Sequence, residues 1–159
     1  MANPLTLYVP IKQDALSQAA AKAAAAGFVK SIKSGLDSAN IVHYARLALI
    51  PNLSGQGIQA ICLITTFDKA MNPYLEFFWK NKSTREAFKG VAALALNPPN
   101  PPVGDSLPAF EKFINSNNLN KPGDLYQAYP DTVAKIKGLP QSKSPAKSAS
   151  KSASKGGSK

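Results

Sequence analysis

The chain holds one histidine, His43, in the stretch IVHYARLALIP from Ile41 to Pro51, with Tyr44 beside it and Arg46 three residues on. An imidazole titrates near neutral pH and can carry a proton or ligate a haem iron. A guanidinium holds a carboxylate through two parallel hydrogen bonds. The trio therefore offers an anion site or a haem site. The competing reading is an imidazole satisfied by a backbone carbonyl and an arginine paired with an acid. Side chains alternate along a strand, so Val42, Tyr44, Arg46, Ala48 and Ile50 share one face, and His43, Ala45, Leu47 and Leu49 the other. His43 then points toward a helix layer as a structural residue, while Arg46 lies on the opposite face as the better ligand-site candidate. A single bulge would reverse this parity. No cofactor is required by these residues; haem with His43 as axial ligand is the alternative.

Tyr8, Tyr44, Tyr126 and Tyr129 lie on or beside expected strands, where their hydroxyls can orient a small ligand in a cleft or their rings can simply pack. With Arg46 and His43 they complete the candidate ligand-binding set; no catalytic residue is assigned. One His and one Cys cannot supply three or four metal ligands at known spacings, so no metal site is expected. Cys62 sits in an apolar stretch and reads as a small hydrophobe. SGQG lacks the lysine and the strand–helix context of a phosphate loop, and no serine nucleophile elbow is present. Phe77, Phe78 and Trp79 read as core aromatics.

The elements that must position these residues follow from pattern. LTLYV at 5–9 reads as a strand. An alanine-rich helix opens after Lys12-Gln13-Asp14, with Leu16, Ala20, Ala23, Gly27 and Ile32 on one stripe, and ends near Gly35 and Asp37-Ser38. Ile41–Ile50 and Ile58–Phe67 read as strands joined by PNLSGQG, a turn-rich link that makes them an antiparallel hairpin. Asn72-Pro73 starts a helix, which Lys82-Ser83-Thr84 interrupts before REAFKGVAALAL. NPPNPPVGD ends it, because proline cannot continue a helix. A short helix is expected over Leu107 to Asn115, a fourth strand over DLYQAY at 124–129, and a last short helix in TVAKIKGL.

That order is the βαββαβ pattern of a ferredoxin-like α+β domain: a four-stranded antiparallel sheet with helices on one face, plus extra short helices. Its other face is polar, covered by a partner, covered by the insert at 97–120, or a ligand pocket. The pieces LTLYVPI, VHYARLALIP, AICLITTFD followed by NPYLEFFW, and LYQAYPDTVAKI resemble a bacterial family of the dimeric α/β-barrel superfamily, whose members occur alone or beside haem-peroxidase-type domains. The resemblance covers most of Leu5 to Ile136. It implies the ferredoxin-like fold, a homodimer through the open sheet face, and a small-molecule-binding or accessory role in oxidative chemistry. It brings no catalytic signature that these residues match. A haem-dependent or cofactor-free oxidoreductase is the enzyme alternative.

Charge is unevenly placed. The net charge is +10 from 19 basic and 9 acidic residues, yet five lysines and no acid lie beyond residue 140. The rest of the chain has fourteen basic against nine acidic residues, a net of +5. A domain over 1–139 is thus followed by a Lys/Ser/Ala-rich tail over 140–159, with lysine at every fourth position: Lys143, Lys147, Lys151, Lys155 and Lys159. The tail has no large apolar residue with which to offset its ordering entropy, so disorder is expected. Such a tail attracts nucleic acid or an anionic membrane without sequence preference, or merely solubilises the domain. Without aromatic residues it offers no stacking platform for bases. The hydrophobic fraction of 44% supports a core. No secretory signal and no membrane-spanning apolar run is evident, and the expected location is cytoplasmic.

Overall fold

The computed structural model describes residues 2–140. Three strands, β1 (Asn3–Pro10), β2 (Val42–Pro51) and β3 (Ile58–Phe67), form one antiparallel sheet in the order β1-β3-β2. Five helices accompany it: α1 (Ala15–Ala39), α2 (Met71–Lys80), α3 (Lys82–Leu94), α4 (Leu107–Ser116) and α5 (Val133–Ile136).

The four-stranded ferredoxin-like sheet expected from the sequence is not formed. DLYQAY at 124–129 is irregular. The outer edge of β1, where a fourth strand would pair, is already taken. Tyr8 donates its amide to the Asn117 carbonyl at 2.8 Å, and the Leu119 amide donates to the Thr6 carbonyl at 2.9 Å. The Asn118 and Asn120 side chains both accept from the Thr6 amide. A backbone group bonds one partner well, so the segment at 117–120 excludes DLYQAY from the sheet.

The hairpin of β2 and β3 forms as expected, with Arg46 opposite Ile64 and Ala48 opposite Cys62. One face of the sheet carries Leu5, Leu7, Val9, Ile61, Leu63 and Phe67, all buried against the helices. Phe28 of α1, Phe88 of α3 and Phe110 of α4 meet edge-on across this layer, with ring centres 5.8 and 5.2 Å apart, an orientation that aromatic quadrupoles favour.

In α1 the buried residues are Ala21, Phe28, Ile32 and Gly35. Leu16, Ala20, Ala23 and Gly27, expected on the buried stripe, face outward, and only Ile32 of that stripe is buried. Gly35 does not end the helix; it lets α1 approach α3, since a Cβ there would stand 2.8 Å from Thr84 Oγ1. The helix runs on to Asn40, whose left-handed backbone (φ 49°) closes it. Its start is capped by Asp14, which accepts from the Ser17 amide. The break between α2 and α3 falls at Asn81, whose Oδ1 accepts from both the amide and the hydroxyl of Thr84.

The insert at 97–120 packs on the helix side, through Val103, Phe110, Phe113 and Ile114, and along the β1 edge. The opposite sheet face is left to Tyr8, Cys62, Ile64, Arg46 and Tyr44, and one end of it is roofed by residues 125–136.

Candidate functional site

The register of β2 slips at its start. Val42 pairs with Phe67 and Tyr44 pairs with Thr66, which leaves His43 as the extra residue of a β-bulge. The bulge overturns the parity expected from strict alternation. His43 does not turn toward the helices; it lines the same cleft as Tyr44 and Thr66. Tyr44 and Arg46, beyond the bulge, stay on the face away from the helices as expected.

His43 Nε2 lies 3.0 Å from Asp68 Oδ1. The other oxygen of Asp68 accepts from the Val133 amide at 2.8 Å, and the Asp68 amide donates to the Ile41 carbonyl at 2.7 Å. An ionised carboxylate only accepts, so Nε2 is the donor in this pair. Among the described residues Nδ1 has no partner. The two side chains are 10% and 9% exposed, so the pair is set into the wall while the ring edge meets the cleft.

The cleft has a volume of about 520 Å³. Its floor is Ala2, His43, Tyr44 and Thr66 at one end of the sheet. Its roof is Leu125, Tyr126, Gln127, Ala128 and Tyr129, followed by Asp131 and Ile136. The roof lacks regular structure up to α5, so side chains pin it. The Ala2 amide donates to Gln127 Oε1 at 3.0 Å, and Gln127 Nε2 donates to the Tyr129 carbonyl at 2.8 Å. Asp68 holds α5, and Lys137 reaches Asn40 Oδ1 at 3.1 Å.

Tyr44, Tyr126 and Tyr129 are 77%, 88% and 83% exposed. Most of the other aromatic rings, among them Phe67, Tyr74, Phe88 and Phe110, are buried. Three tyrosines gathered around one cleft and left open to it are a surface for a ligand rather than a packing solution. Among the described residues no lysine or arginine lines the cleft. Asp131 does, and it is paired with Lys135 at 2.6 Å.

Of the six candidate residues, His43, Tyr44, Tyr126 and Tyr129 come together. Arg46 is exposed farther along the same sheet face, opposite Ile64, and Tyr8 is half-buried opposite Cys62; neither lines the cleft. Burial pushes the Cys62 thiol up, an effect that Arg46 partly offsets. The five tail lysines lie outside the described residues. Sequence reasoning missed Asp68, Thr66, Gln127 and Asp131. Asp68 had a signal: counting outward from the hairpin turn at Gly55 sets residue 43 against residues 67 and 68. Among the described residues no group of three or more His, Cys, Asp or Glu side chains is placed to hold a metal ion, and no helix is long and apolar enough to cross a membrane.

No family model, no curated protein and no solved structure matches this chain; nothing identifies a ferredoxin-like family.

Proposed function

We propose that the protein is a small-molecule-binding domain whose cleft takes a planar, uncharged ring system between Tyr44, Tyr126 and Tyr129, with His43 as the hydrogen-bonding group at its wall. The observation that carries this reading is the gathering of three exposed tyrosines around an imidazole whose second nitrogen has no partner among the described residues. Aromatic faces bind a planar ring by stacking. A few placed polar atoms (Nδ1 of His43, the Thr66 hydroxyl, the Gln127 amide) then fix its orientation. Among the described residues no cation lines the cleft, which favours an uncharged ligand there and leaves Arg46 outside it.

Saturation-transfer NMR with adenosine as the probe tests the reading. Transfer to the adenine protons, reduced in Tyr126→Ala and Tyr129→Ala, is expected. Transfer unchanged in both variants would overturn it.

The enzyme reading is favoured by the Asp68 contact, which orients the ring and fixes which nitrogen donates to the carboxylate. In that reading His43 moves a proton at Nδ1. The link to oxidative chemistry has its own test in haemin: a saturable Soret shift lost in His43→Ala supports it, and a shift that survives the substitution removes His43 from it. The homodimer expected through the open sheet face makes a competing claim on Arg46 and Ile64. Light scattering at micromolar concentration reads a monomer mass if that face serves the ligand and a dimer mass if copies pair there.

A further inference from the structure

We infer that two copies of this chain pair along the free edge of β2, strand against antiparallel strand, in the register that sets Leu47 opposite the partner's Leu47. This pairing uses the sheet edge and is independent of what the cleft binds.

The sheet has two edges, and segments of the same chain cover the one at β1. There the even-numbered residues turn their backbone groups outward, and Thr6, Tyr8 and Pro10 bond them to Leu119, Asn117 and Leu96. The Ile11 amide donates to the Gln59 carbonyl at 3.0 Å, which fixes the alternation across the sheet: odd residues of β3 bond to β1 and even ones to β2. Tyr44, Arg46, Ala48 and Ile50, opposite Thr66, Ile64, Cys62 and Ala60, are therefore the residues of β2 bonded to β3. Ala45, Leu47 and Leu49 turn their N–H and C=O groups to the outside, where they have no partner among the described residues. None of the ten residues from Val42 to Pro51 is buried. Leu47 and Leu49 face the helices yet are only half-buried. An open row of strand donors and acceptors, flanked by incompletely covered apolar side chains, is a template for another strand.

The strand is complementary to itself. The bulge at His43 ends the regular segment on one side, and Pro51, which has no N–H, ends it on the other. Each lies four residues from Leu47. A two-fold axis at Leu47 matches every residue of the segment 44–50 with another of the same segment. Leu47 faces the partner's Leu47, and Ala45 faces the partner's Leu49; these are the outward-turned residues, which exchange two hydrogen bonds per pair. Their side chains lie on the helix side, where each leucine gains cover. On the other face Tyr44 meets the partner's Ile50, an aromatic against a β-branched side chain, and Arg46 meets the partner's Ala48. Moving the axis to Arg46 would set two guanidiniums directly opposite, which is destabilising. Moving it to Ala48 would bring Pro51 opposite Ala45 and lose a donor. The pairing also closes on itself. It joins two three-stranded sheets into one whose remaining edges are both β1, already covered, so assembly stops at two.

A strand pair of this length buries less than the ~1,200 Å² of a standard interface, and a net charge of +10 per copy opposes association at low salt. Pairing therefore belongs above the micromolar range. The test is sedimentation equilibrium of the full chain from about 10 µM to about 1 mM in about 0.3 M salt, with amide hydrogen exchange read at the same concentrations. A mass that rises toward twice the monomer and stops there is expected, with exchange slowing at Ala45, Leu47 and Leu49. Leu47→Pro removes no hydrogen bond within one copy, since that N–H points outward, and is expected to abolish the rise. Ala48→Arg puts a like charge opposite the partner's Arg46, and Ala48→Glu puts an opposite charge there. The axis counts each contact twice, so the first should weaken and the second strengthen dimerisation by about two- to thirtyfold. A monomer mass up to about 1 mM overturns the inference and leaves the edge to a foreign strand. A dimer that ignores Leu47→Pro and both Ala48 variants but is lost in Ile64→Asp overturns it in favour of the open sheet face. Masses that climb past two copies contradict the closure.

Discussion

Replacing Asp68 with alanine removes the acceptor of two donors at once, His43 Nε2 at 3.0 Å and the Val133 amide at 2.8 Å. Both donors sit where water is scarce, since Asp68 and Val133 are buried and the imidazole is nearly so. A hydrogen bond to a charged group contributes about 1.5–3 kcal/mol, and an unpaired buried donor costs about 1–3 kcal/mol. The two together put the loss at about 3–4 kcal/mol, because the imidazole edge at the cleft recovers part of its share from water. In a domain of this size that lowers Tm by about 10–15 °C. Asp68→Asn separates charge from shape. Its amide oxygen still accepts from Val133, while its NH2 group faces Nε2 and forces the proton to Nδ1, for a loss of about 1–2 kcal/mol. Urea unfolding followed by Trp79 fluorescence measures these losses, and His43→Ala with the double variant closes a cycle. A coupling energy of about 1–3 kcal/mol between positions 43 and 68 is expected. An additive cycle, with coupling under about 0.5 kcal/mol, would refute the claim that this pair holds the cleft wall.

Gly35→Ala sets a methyl group 2.8 Å from Thr84 Oγ1. Despite the better helix propensity of alanine, it should destabilise by about 1–2 kcal/mol; an unchanged or raised urea midpoint would contradict the close approach of α1 and α3. Phe110→Ala, at a fully buried ring, should cost about 3–5 kcal/mol in the same assay. The Ser17 amide beside Asp14 holds its carboxyl below the usual carboxylate range. A depressed folded-state value means the cap stabilises above the unfolded carboxylate pKa, near pH 4, and the benefit is lost as pH falls through the folded value. Asp14→Ala should therefore lower Tm at pH 7 and lose its effect as the carboxyl protonates in acid; a penalty equal at neutral and strongly acid pH would count against the cap. Cys62 is buried with its thiol pushed up, so it should react with a thiol reagent far more slowly in the native protein than in urea; equal rates would place it at the surface.

The hairpin was legible because its signals are local: two apolar runs and a turn rich in glycine and asparagine. So were Leu107 as a helix start and a helix break expected at Lys82-Ser83-Thr84, which the structure puts one residue earlier at Asn81. The fourth strand was not. DLYQAY has the alternation of a strand, but whether it joins the sheet depends on which segment reaches the β1 edge first, and Asn117–Asn120, with no strand pattern of its own, takes it through backbone and asparagine side-chain contacts. The α1 stripe was misjudged because an alanine-rich helix has weak amphipathicity, and only Phe28 and Ile32 mark the buried side. Four of the six ligand-site candidates line one cleft, while the strand parity that turned His43 toward the helices failed at one residue. A bulge at His43 is decided by the pairing of Val42 with Phe67 and Tyr44 with Thr66, and no residue type in IVHYARLALIP announces it.

The most direct test of the cleft uses the fact that the chain has a single histidine, so the ring nitrogens give one assignable pair of ¹⁵N signals. The account predicts that at neutral pH Nε2 is the protonated nitrogen, bonded to Asp68, and that adenosine shifts the Nδ1 signal in the native protein but not in Tyr126→Ala. A proton on Nδ1 with no response to adenosine would contradict both the His43–Asp68 geometry and the ligand reading built on it.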